Sequence, residues 1–291
     1  MYWQTSRFCI DLQTPQVMGI VNVTPDSFSD GGLHASRDAA LAHCDQLVRD
    51  GADILDIGGE STRPGALELA VDEELARVLP IVRHAVTLGV PVSVDTYKPQ
   101  VMQAVLDLGA DIINDVWALR WSDGENSTTG RDVVGAHGQC GVCLMHMHRN
   151  PQTMQVAPME GDVMPQVLSF LERLASDLRG QGVEKARICI DPGIGFGKTV
   201  EQNFALLGQQ AALVPLGYAV LAGWSRKSSL AAVTGRSLAT VATLDIRDRL
   251  VPSVTAALLA VQNGAHVVRV HDVKETVQAL KVLGAMQRHR G

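Results

Sequence analysis

Eight short apolar runs, rich in valine and isoleucine, recur along the chain, and each is followed by a polar turn. Both faces of these runs are apolar, as expected for strands of a parallel sheet that is covered on both sides. This feature limits the chain to folds that bury such a sheet. The runs are Val17–Val23, Asp53–Ile57, Val90–Val94, Asp111–Ile113, Gly141–Met147, Arg187–Ile190, Ala219–Ala222 and Val267–Val270.

Amphipathic stretches with helical spacing lie between or after several of the runs. The first of them begins at a good N-cap residue and ends before Gly51, which suits a helix terminus. The predicted helices are Ser36–Asp50, Asp72–Leu88, Val163–Arg179, Val254–Gln262 and Val273–Met286. Eight strand–helix units predict an α/β protein with a (β/α)8 TIM barrel, and an open doubly wound sheet is the alternative.

No linker, low-complexity tract or charge block divides the 291 residues, so residues 1–291 are predicted to form a single domain. A short strand pair within residues 1–16, near Phe8–Gln16, is predicted to precede the barrel of residues 17–291 and to cover its bottom. The polar segment Ser122–Arg131 is predicted to be a mobile surface loop after the fourth run.

Composition and charge exclude several classes of partner. The formal net charge is −6 and there is no long run of Lys or Arg, so no affinity for nucleic acid is expected. No apolar stretch reaches the roughly 18 residues that a membrane span needs, and the N-terminus lacks a signal-peptide pattern. The five cysteines are odd in number and mostly lie in apolar runs, which favours free thiols in the cytoplasm.

Polar residues cluster just past the C-terminal ends of the runs, where barrel enzymes place their active sites. Asp95, Asn114 and Asp191 could bind a polar heterocycle, because a carboxylate can accept two hydrogen bonds from a ring N–H and a neighbouring amine. Helix capping or loop anchoring is the alternative for each residue alone. Their positions around one barrel mouth favour a binding site.

A second group of residues is cationic or lies at a helix start. Ser228 begins the helical stretch after the seventh run, so its hydroxyl and the free N–H groups could bind a carboxylate. Phosphate oxygens could be held by two glycine-rich loops and by the cations Arg63, Lys227, Arg269 and His271.

Three local patterns are weak signals of cofactor or metal binding. Gly193–Lys198 fits neither nucleotide-binding glycine motif, because Pro192 and the final lysine occupy positions that need glycine. Cys140-x2-Cys143 has no second cysteine pair, which favours packed thiols over zinc or redox chemistry. His146 and His148 lack a third ligand, so hydrogen-bonded structural roles are favoured over a metal site.

Several motifs, in this order, resemble the dihydropteroate synthase family along nearly the whole chain. They are Met18–Gly32 (MGIVNVTPDSFSDGG), Asp56–Ala66 (DIGGESTRPGA), Val92–Pro99 (VSVDTYKP), Leu144–Met147 with Asn150–Gln155, Asp191–Thr199 (DPGIGFGKT), Ser225–Ser228 (SRKS) and Arg269–Val273 (RVHDV). The resemblance implies a Mg²⁺-dependent transferase of folate biosynthesis. Such an enzyme condenses 6-hydroxymethyl-7,8-dihydropterin diphosphate with p-aminobenzoate, giving 7,8-dihydropteroate and diphosphate.

The resemblance also implies a role for each matching residue. The pterin would be bound by Asp95, Asn114, Asp191 and Lys227, with Arg269 stacked on its face and Met145 and Gly223 packed near its ring. The p-aminobenzoate pocket would be formed by Phe28, Thr62, Pro64, Phe196 and Ser228. The diphosphate would be contacted by Asn22, Arg63 and His271, and Asn22 would also ligate Mg²⁺. The catalytic residues would be Lys227, Arg63 and His271.

The same resemblance implies a homodimer and competitive inhibition by sulfonamides, which imitate p-aminobenzoate. The chain departs from the usual family pattern at Trp117-Ala118, at Gln202 and at Pro252, and the polar loop after the fourth run is longer. None of these positions carries an assigned role. The departures therefore concern local loop shape and not the reaction.

Three alternatives make different demands on the sequence. A methyltetrahydrofolate-binding domain of a corrinoid-dependent methyltransferase would not need the loops TPDSFSDGG and ESTRPG, which are intact. A non-catalytic pterin-binding paralogue should have lost Arg63, Lys227 or His271, and all are present. A phosphate-binding sugar isomerase barrel would not explain the set of Asp95, Asn114 and Asp191.

Overall fold

The computed structural model describes residues 1–23, 32–61, 67–124, 127–151, 153–235 and 246–289. The strands in these residues are β1 (Tyr2–Gln4), β2 (Cys9–Asp11), β3 (Gln16–Asn22), β4 (Ile54–Gly58), β5 (Val92–Asp95), β6 (Ile112–Asp115), β7 (Gly141–Met145), β8 (Ile188–Asp191), β9 (Ala219–Ala222) and β10 (Val267–Val270). The α-helices are α1 (Gly32–Arg49), α2 (Val71–Ala85), α3 (Pro99–Asp107), α4 (Gly130–His137), α5 (Val163–Gly180), α6 (Val200–Gln209), α7 (Ser228–Thr234), α8 (Leu250–Gln262) and α9 (Val273–Gln287).

Strands β3 to β10 form a closed parallel barrel, in which β10 returns to pair with β3. The predicted TIM barrel is therefore confirmed, and the open sheet is excluded. Register places Asp95 opposite Asn114, and Met145 opposite Asp191. Because all strands run in the same direction, the polar residues that end them lie around one mouth.

The apolar runs supply two layers of core because successive side chains of a strand point to opposite faces. In β4, Leu55 and Ile57 point outward into the large cluster between strands and helices. Ile54 instead joins Met18 and Ile112 inside the lower barrel. Both faces of each strand are thereby removed from water, which explains why the runs contain so few polar residues.

A two-stranded antiparallel hairpin closes the bottom of the barrel. It is formed by β1 and β2, and its Trp3 is fully buried against the lower barrel interior. Trp3 Nε1 donates a hydrogen bond of 3.0 Å to the carbonyl oxygen of Arg187 just before β8. The predicted strand pair is present, but its second strand ends at Asp11, and Gln16 already belongs to the barrel.

All five predicted helices are present, with ends shifted by a few residues. The sequence does not predict α3, α4 and α6, which are short and offer few turns of periodicity, whereas the predicted helix start at Ser228 is confirmed by α7. The predicted loop Ser122–Arg131 is wrong at its end, because Thr129 and Asp132 form a capping box that starts α4 at Gly130. In the described part of the chain, no helix is long and apolar enough to cross a membrane.

Candidate active site

Arg269 of β10 reaches across the mouth and joins two carboxylates. Its Nε lies 2.6 Å from Asp56 Oδ2, and its Nη2 lies 2.8 Å from Asp95 Oδ2. Asp56 is fully buried and also accepts a hydrogen bond of 2.6 Å from Ser93 Oγ. The Asn114 amide lies 3.3 Å from Asp56 Oδ2. These bonds fix the guanidinium, the amide and the Asp95 carboxylate relative to one another.

Asp56 was given no role in the sequence, although it lies in a matched motif. The signal was present: it is a single carboxylate inside the buried strand Ile54–Gly58. A buried charge is tolerated when it has a charged or hydrogen-bonding partner, so a cation facing this strand could have been inferred. The identity of that cation needed the barrel, because Arg269 lies 213 residues away along the chain.

Asp95 combines an unusual charge environment with an unused acceptor. Burial raises the pKa of Asp95 to about 7, with Arg269 opposing this shift and Asp56 adding to it. Among the described residues, its Oδ1 is one of the buried side-chain atoms that have no hydrogen-bond partner. An orphaned carboxylate oxygen at the mouth of a barrel is suited to receive a donor from a ligand.

Asp191 ends β8 on the side of the mouth opposite β4. Its Oδ1 accepts a hydrogen bond of 2.7 Å from the Gly193 amide. Burial raises the pKa of Asp191, while that hydrogen bond and the positive charge of Lys227 oppose the shift. The following turn brings buried Phe196 beneath Lys227, whose Nζ lies 4.3 Å from the ring centroid. The predicted Met145 is buried in the same contact cluster as Phe196.

Lys227 is predicted both to bind the pterin and to be one of the cations that could hold phosphate oxygens. It is the N-cap residue of α7, and Ser228 is the exposed first residue of that helix. Burial and the neighbouring Arg269 lower the pKa of Lys227 to about 8, while Asp191 and Asp95 oppose the shift. The Lys227 ammonium is thus influenced by two carboxylates and one guanidinium. It could also interact with an anionic group of a ligand at the mouth.

His271 is held next to this turn by Ser225. The hydroxyl of Ser225 lies 3.0 Å from His271 Nδ1 and accepts a hydrogen bond of 3.1 Å from the His271 amide. Arg226, which has a left-handed backbone with φ of 58°, is fixed by an ion pair of 2.6 Å with Asp272. The two motifs SRKS and RVHDV therefore form one unit, with Gly223 at the end of β9 beside it.

Asn22 is the last residue of β3 and pairs with Gly58 across the rim. It is partly buried, and it follows Val21, which belongs to the outer cluster, so strand alternation puts Asn22 on the inner face of the barrel. No group of three or more His, Cys, Asp or Glu side chains that could hold a metal occurs in the described part of the chain.

Four of the residues predicted for this site fall in segments whose structure is not described. These residues are Phe28, Thr62, Arg63 and Pro64, and their roles stay predictions from the sequence. The other predicted residues converge on the mouth: Asn22, Asp95, Asn114, Met145, Asp191, Phe196, Gly223, Lys227, Ser228, Arg269 and His271.

Three residues of the cysteine and histidine patterns are packed inside the protein. Cys140 and Cys143 are free buried thiols. His146 is buried, and its Nδ1 lies 2.9 Å from Lys198 Nζ. Burial lowers the pKa of His146 to about 2, so the ring is neutral and Nδ1 can accept a hydrogen bond from the Lys198 ammonium. Lys198 is not among the site residues predicted from the sequence, because His146, one of its partners, is 52 residues away along the chain.

An aromatic cluster extends the mouth beyond β5 and β6. The Tyr97 ring lies 5.3 Å from Trp121 and 6.3 Å from Trp117, measured between ring centroids. These side chains belong to one contact cluster with Met145 and Phe196. Trp117, where the chain departs from the family pattern, therefore contributes to the rim of the mouth.

Comparison with known proteins agrees with this geometry. The model of the family described as "Pterin binding enzyme" matches residues 18–271. The dihydropteroate synthase of Neisseria meningitidis serogroup C is 45% identical over 287 residues, covering 98% of this chain and 97% of the relative. The match therefore extends over nearly the full length of both proteins.

Solved structures show the same likeness. The Burkholderia cenocepacia dihydropteroate synthase complexed with 7,8-dihydropteroate is 46% identical, with a TM-score of 0.85, covering 99% of this chain and 96% of that one. The Yersinia pestis dihydropteroate synthase in a sulfonamide drug complex is 38% identical, with a TM-score of 0.89, covering 99% and 100%.

Proposed function

Since the chain belongs to the dihydropteroate synthase family of pterin-binding enzymes, we propose that the mouth of its barrel carries out that family's transferase reaction. This reaction joins 6-hydroxymethyl-7,8-dihydropterin diphosphate to p-aminobenzoate and releases 7,8-dihydropteroate and diphosphate. The observation that carries the proposal is the convergence of Asp95, Asn114 and Asp191 around one mouth, with Asp95 Oδ1 unpaired among the described residues.

The pterin binds between the carboxylates at the centre of the mouth. A pterin edge presents ring N–H groups beside an exocyclic amine, and these donors match the oxygens of Asp95 and Asp191. Asn114 supplies an amide that can both donate and accept. Lys227 and Arg269 flank the ring, while Met145 and Gly223 form its apolar and backbone surroundings.

p-Aminobenzoate occupies the outer part of the mouth, next to the β8 turn. Phe196 offers an apolar ring surface there, and Lys227 lies directly over that ring. The carboxylate would bind to Ser228, and the exposure of this residue at the start of α7 supports that role. Phe28, Thr62 and Pro64, outside the described residues, complete the pocket in this proposal. Sulfonamides would compete for the same space.

In this proposal the diphosphate contacts Asn22 and His271, together with Arg63, which lies outside the described residues. The residues present fit a Mg²⁺ ion that is bound largely through the substrate, because Mg²⁺ prefers oxygen ligands and retains several waters. Asn22 would supply the protein oxygen. When bound, Mg²⁺ would neutralise negative charge on the departing diphosphate. The hydrogen bond between Ser225 and His271 Nδ1 fixes the imidazole, which supports its proposed contact with the diphosphate.

The reaction needs no covalent intermediate with the protein. The bond between the pterin methylene carbon and the diphosphate oxygen breaks, and the electron pair leaves with the diphosphate. The amine nitrogen of p-aminobenzoate forms the new C–N bond and loses a proton. The electron-rich pterin stabilises positive charge on the methylene. The protein therefore acts by holding the two substrates in line and by stabilising separating charge.

Three further properties stay proposals. We infer that residues 1–291 act as one domain, with a hairpin in residues 1–16 and a barrel in residues 17–291. A homodimer and a cytoplasmic location follow from the family resemblance and from the cysteine pattern. None of these properties is needed for the chemistry at the mouth.

Replacing either carboxylate by an amide tests the pterin site. We expect Asp95→Asn and Asp191→Asn each to weaken binding of a pterin by about tenfold or more. The reason is that an amide turns one acceptor into a donor, and a mismatched buried polar group costs about 1–3 kcal/mol. Calorimetric titration measures the affinity. Asp177→Asn, on the exposed face of α5, is the matched control and should bind like the unmodified chain. Unchanged affinity in both site variants would remove these residues from the pterin site.

A further inference from the structure

Lys198, immediately after the β8 turn, is almost completely buried, with a relative exposure of 2%. Its Nζ donates a hydrogen bond of 2.8 Å to the carbonyl oxygen of Gly193 and one of 3.2 Å to that of Phe196. It also lies 2.9 Å from His146 Nδ1. The ammonium thus has four acceptors, two on the β8 turn and two on His146 after β7, the second of these being the His146 carbonyl oxygen at 3.4 Å.

The turn that Lys198 holds has an unusual backbone. Gly193, Gly195 and Gly197 have φ values of 68°, 82° and 73°, a region that residues with a Cβ adopt only rarely. Two carbonyl groups of the turn each accept one backbone hydrogen bond, that of Gly193 from the Phe196 amide at 3.1 Å and that of Phe196 from the His148 amide at 3.4 Å. The ammonium of Lys198 binds both of these carbonyls from below. Without it each carbonyl would keep only its single backbone donor, and its remaining acceptor capacity would be buried.

A buried lysine is costly, and an apolar residue of the same length would fill the space. Burial lowers the pKa of Lys198 to about 7, with the negative charge of Asp191 opposing this shift and Lys227 adding to it. A lysine kept in a buried position at such a cost indicates a requirement beyond packing. The turn begins directly after Asp191, which is proposed to bind the pterin, and it contains Phe196, which is proposed to contact p-aminobenzoate.

We propose that Lys198 is a positioning residue for the reaction, whose ammonium fixes the turn 192–197 so that Asp191 meets the pterin and Phe196 meets p-aminobenzoate. This inference rests on the proposed function and deepens it. Lys198 touches neither substrate. It acts through the two carbonyl groups that it binds and through its charge.

The charge of Lys198 has a separate, measurable consequence. The ionisable groups that act on it or face it are Asp191 at the end of β8, Lys227 after β9, and His146 and His148 after β7. Lys198 is one of the cations that oppose the raised pKa of Asp191. Removing its charge should raise the pKa of Asp191 further. Since the ionised carboxylate accepts the pterin donors, the pH below which pterin affinity declines should move upward.

Lys198→Met removes the ammonium and keeps the length of the side chain. We expect the KM for p-aminobenzoate to rise about tenfold, equivalent to a loss of roughly 1.4 kcal/mol, with a smaller change in kcat. The acid limb of pterin affinity, measured by calorimetry, should shift to higher pH. Lys185→Met is the matched control, because Lys185 is an exposed lysine just before β8, at the other end of the barrel. It should leave both quantities unchanged.

His146→Leu separates geometry from charge. It removes the Nδ1 acceptor while keeping a neutral, bulky side chain, so the KM for p-aminobenzoate should rise by about threefold or more while the acid limb stays in place. If Lys198→Met does not fold, judged by thermal unfolding, this second variant decides whether the contact positions the turn. Unchanged KM in His146→Leu, or Lys198→Met with normal KM and an unmoved acid limb, would overturn the proposal. Failure of the unmodified chain to form dihydropteroate would instead overturn the proposed function.

Discussion

Asp56 illustrates how one residue determines the shape of the mouth without a place in the predicted site. Its carboxylate joins Arg269 of β10, Ser93 of β5 and Asn114 of β6 to β4. Two of these partners, Arg269 and Asn114, are proposed to contact the pterin. The alignment of the pterin contacts therefore depends on a group that lies one layer below them.

Asp56→Asn tests this dependence. An amide keeps the shape but loses the charge that faces Arg269, and breaking a buried ion pair typically costs about 3–5 kcal/mol. We expect the free energy of unfolding in urea to fall by about that amount, and pterin affinity to fall with it. Asp177→Asn again serves as the control. A variant with unchanged stability and unchanged affinity would show that Arg269 is held by Asp95 alone.

At the scale of elements, the sequence predicts those strands and helices that are long enough to show a regular pattern of apolar residues. Every barrel strand coincides with an apolar run, because burial on both faces removes polar residues from the strand. Short helices such as α3 and α4 carry too few turns to show a stripe. The partners of Asp56 and Lys198 could not be predicted, since they come from strands that become neighbours only when the barrel closes. The positions of polar residues after each strand predicted the mouth itself.

The β8 turn is the element on which the site depends most. A Cβ on Gly193 would lie 1.8 Å from the carbonyl oxygen of His146, and its φ of 68° is left-handed. We therefore expect Gly193→Ala to lower the free energy of unfolding by at least about 2 kcal/mol and to raise the KM for p-aminobenzoate. Urea unfolding and steady-state kinetics measure the two effects.

Gly135→Ala provides the comparison for that change. Gly135 lies inside α4, and an added Cβ would meet nothing within 4 Å. Alanine should stabilise this helix by up to about 1 kcal/mol and leave the kinetics unaltered. If the two alanine variants had the same stability and the same KM, the close approach of Gly193 to the His146 carbonyl would not constrain the β8 turn.

At the scale of the whole molecule, stability and chemistry lie at opposite ends of the barrel. The lower end is filled by Trp3 and the residues around it, and the upper end carries the polar mouth. Such a division permits a change at the bottom to alter stability while leaving the reaction intact.

Trp3→Ala tests that separation. Removing a fully buried tryptophan leaves a cavity and costs about 3–5 kcal/mol, and it also leaves the Arg187 carbonyl without its donor. We expect this loss in urea unfolding, with a KM for each substrate within about twofold of the original. Tyr2→Ala, which truncates an exposed neighbour, should have little effect on either quantity. A large rise in KM for Trp3→Ala would contradict the division of the barrel.

The central claim is that this mouth makes 7,8-dihydropteroate, and product formation from both substrates tests it most directly. We expect the chain to form 7,8-dihydropteroate and diphosphate when pterin diphosphate, p-aminobenzoate and Mg²⁺ are supplied. Chelation of Mg²⁺ should abolish turnover, because the departing diphosphate would lose the ion that neutralises its charge. The chelator should remove the ion readily, since Asn22 is the only protein ligand proposed for it. Asp191→Asn should lose at least about tenfold in kcat/KM for the pterin substrate. Absence of product with the unmodified, folded chain, or full activity in Asp191→Asn, would contradict the account.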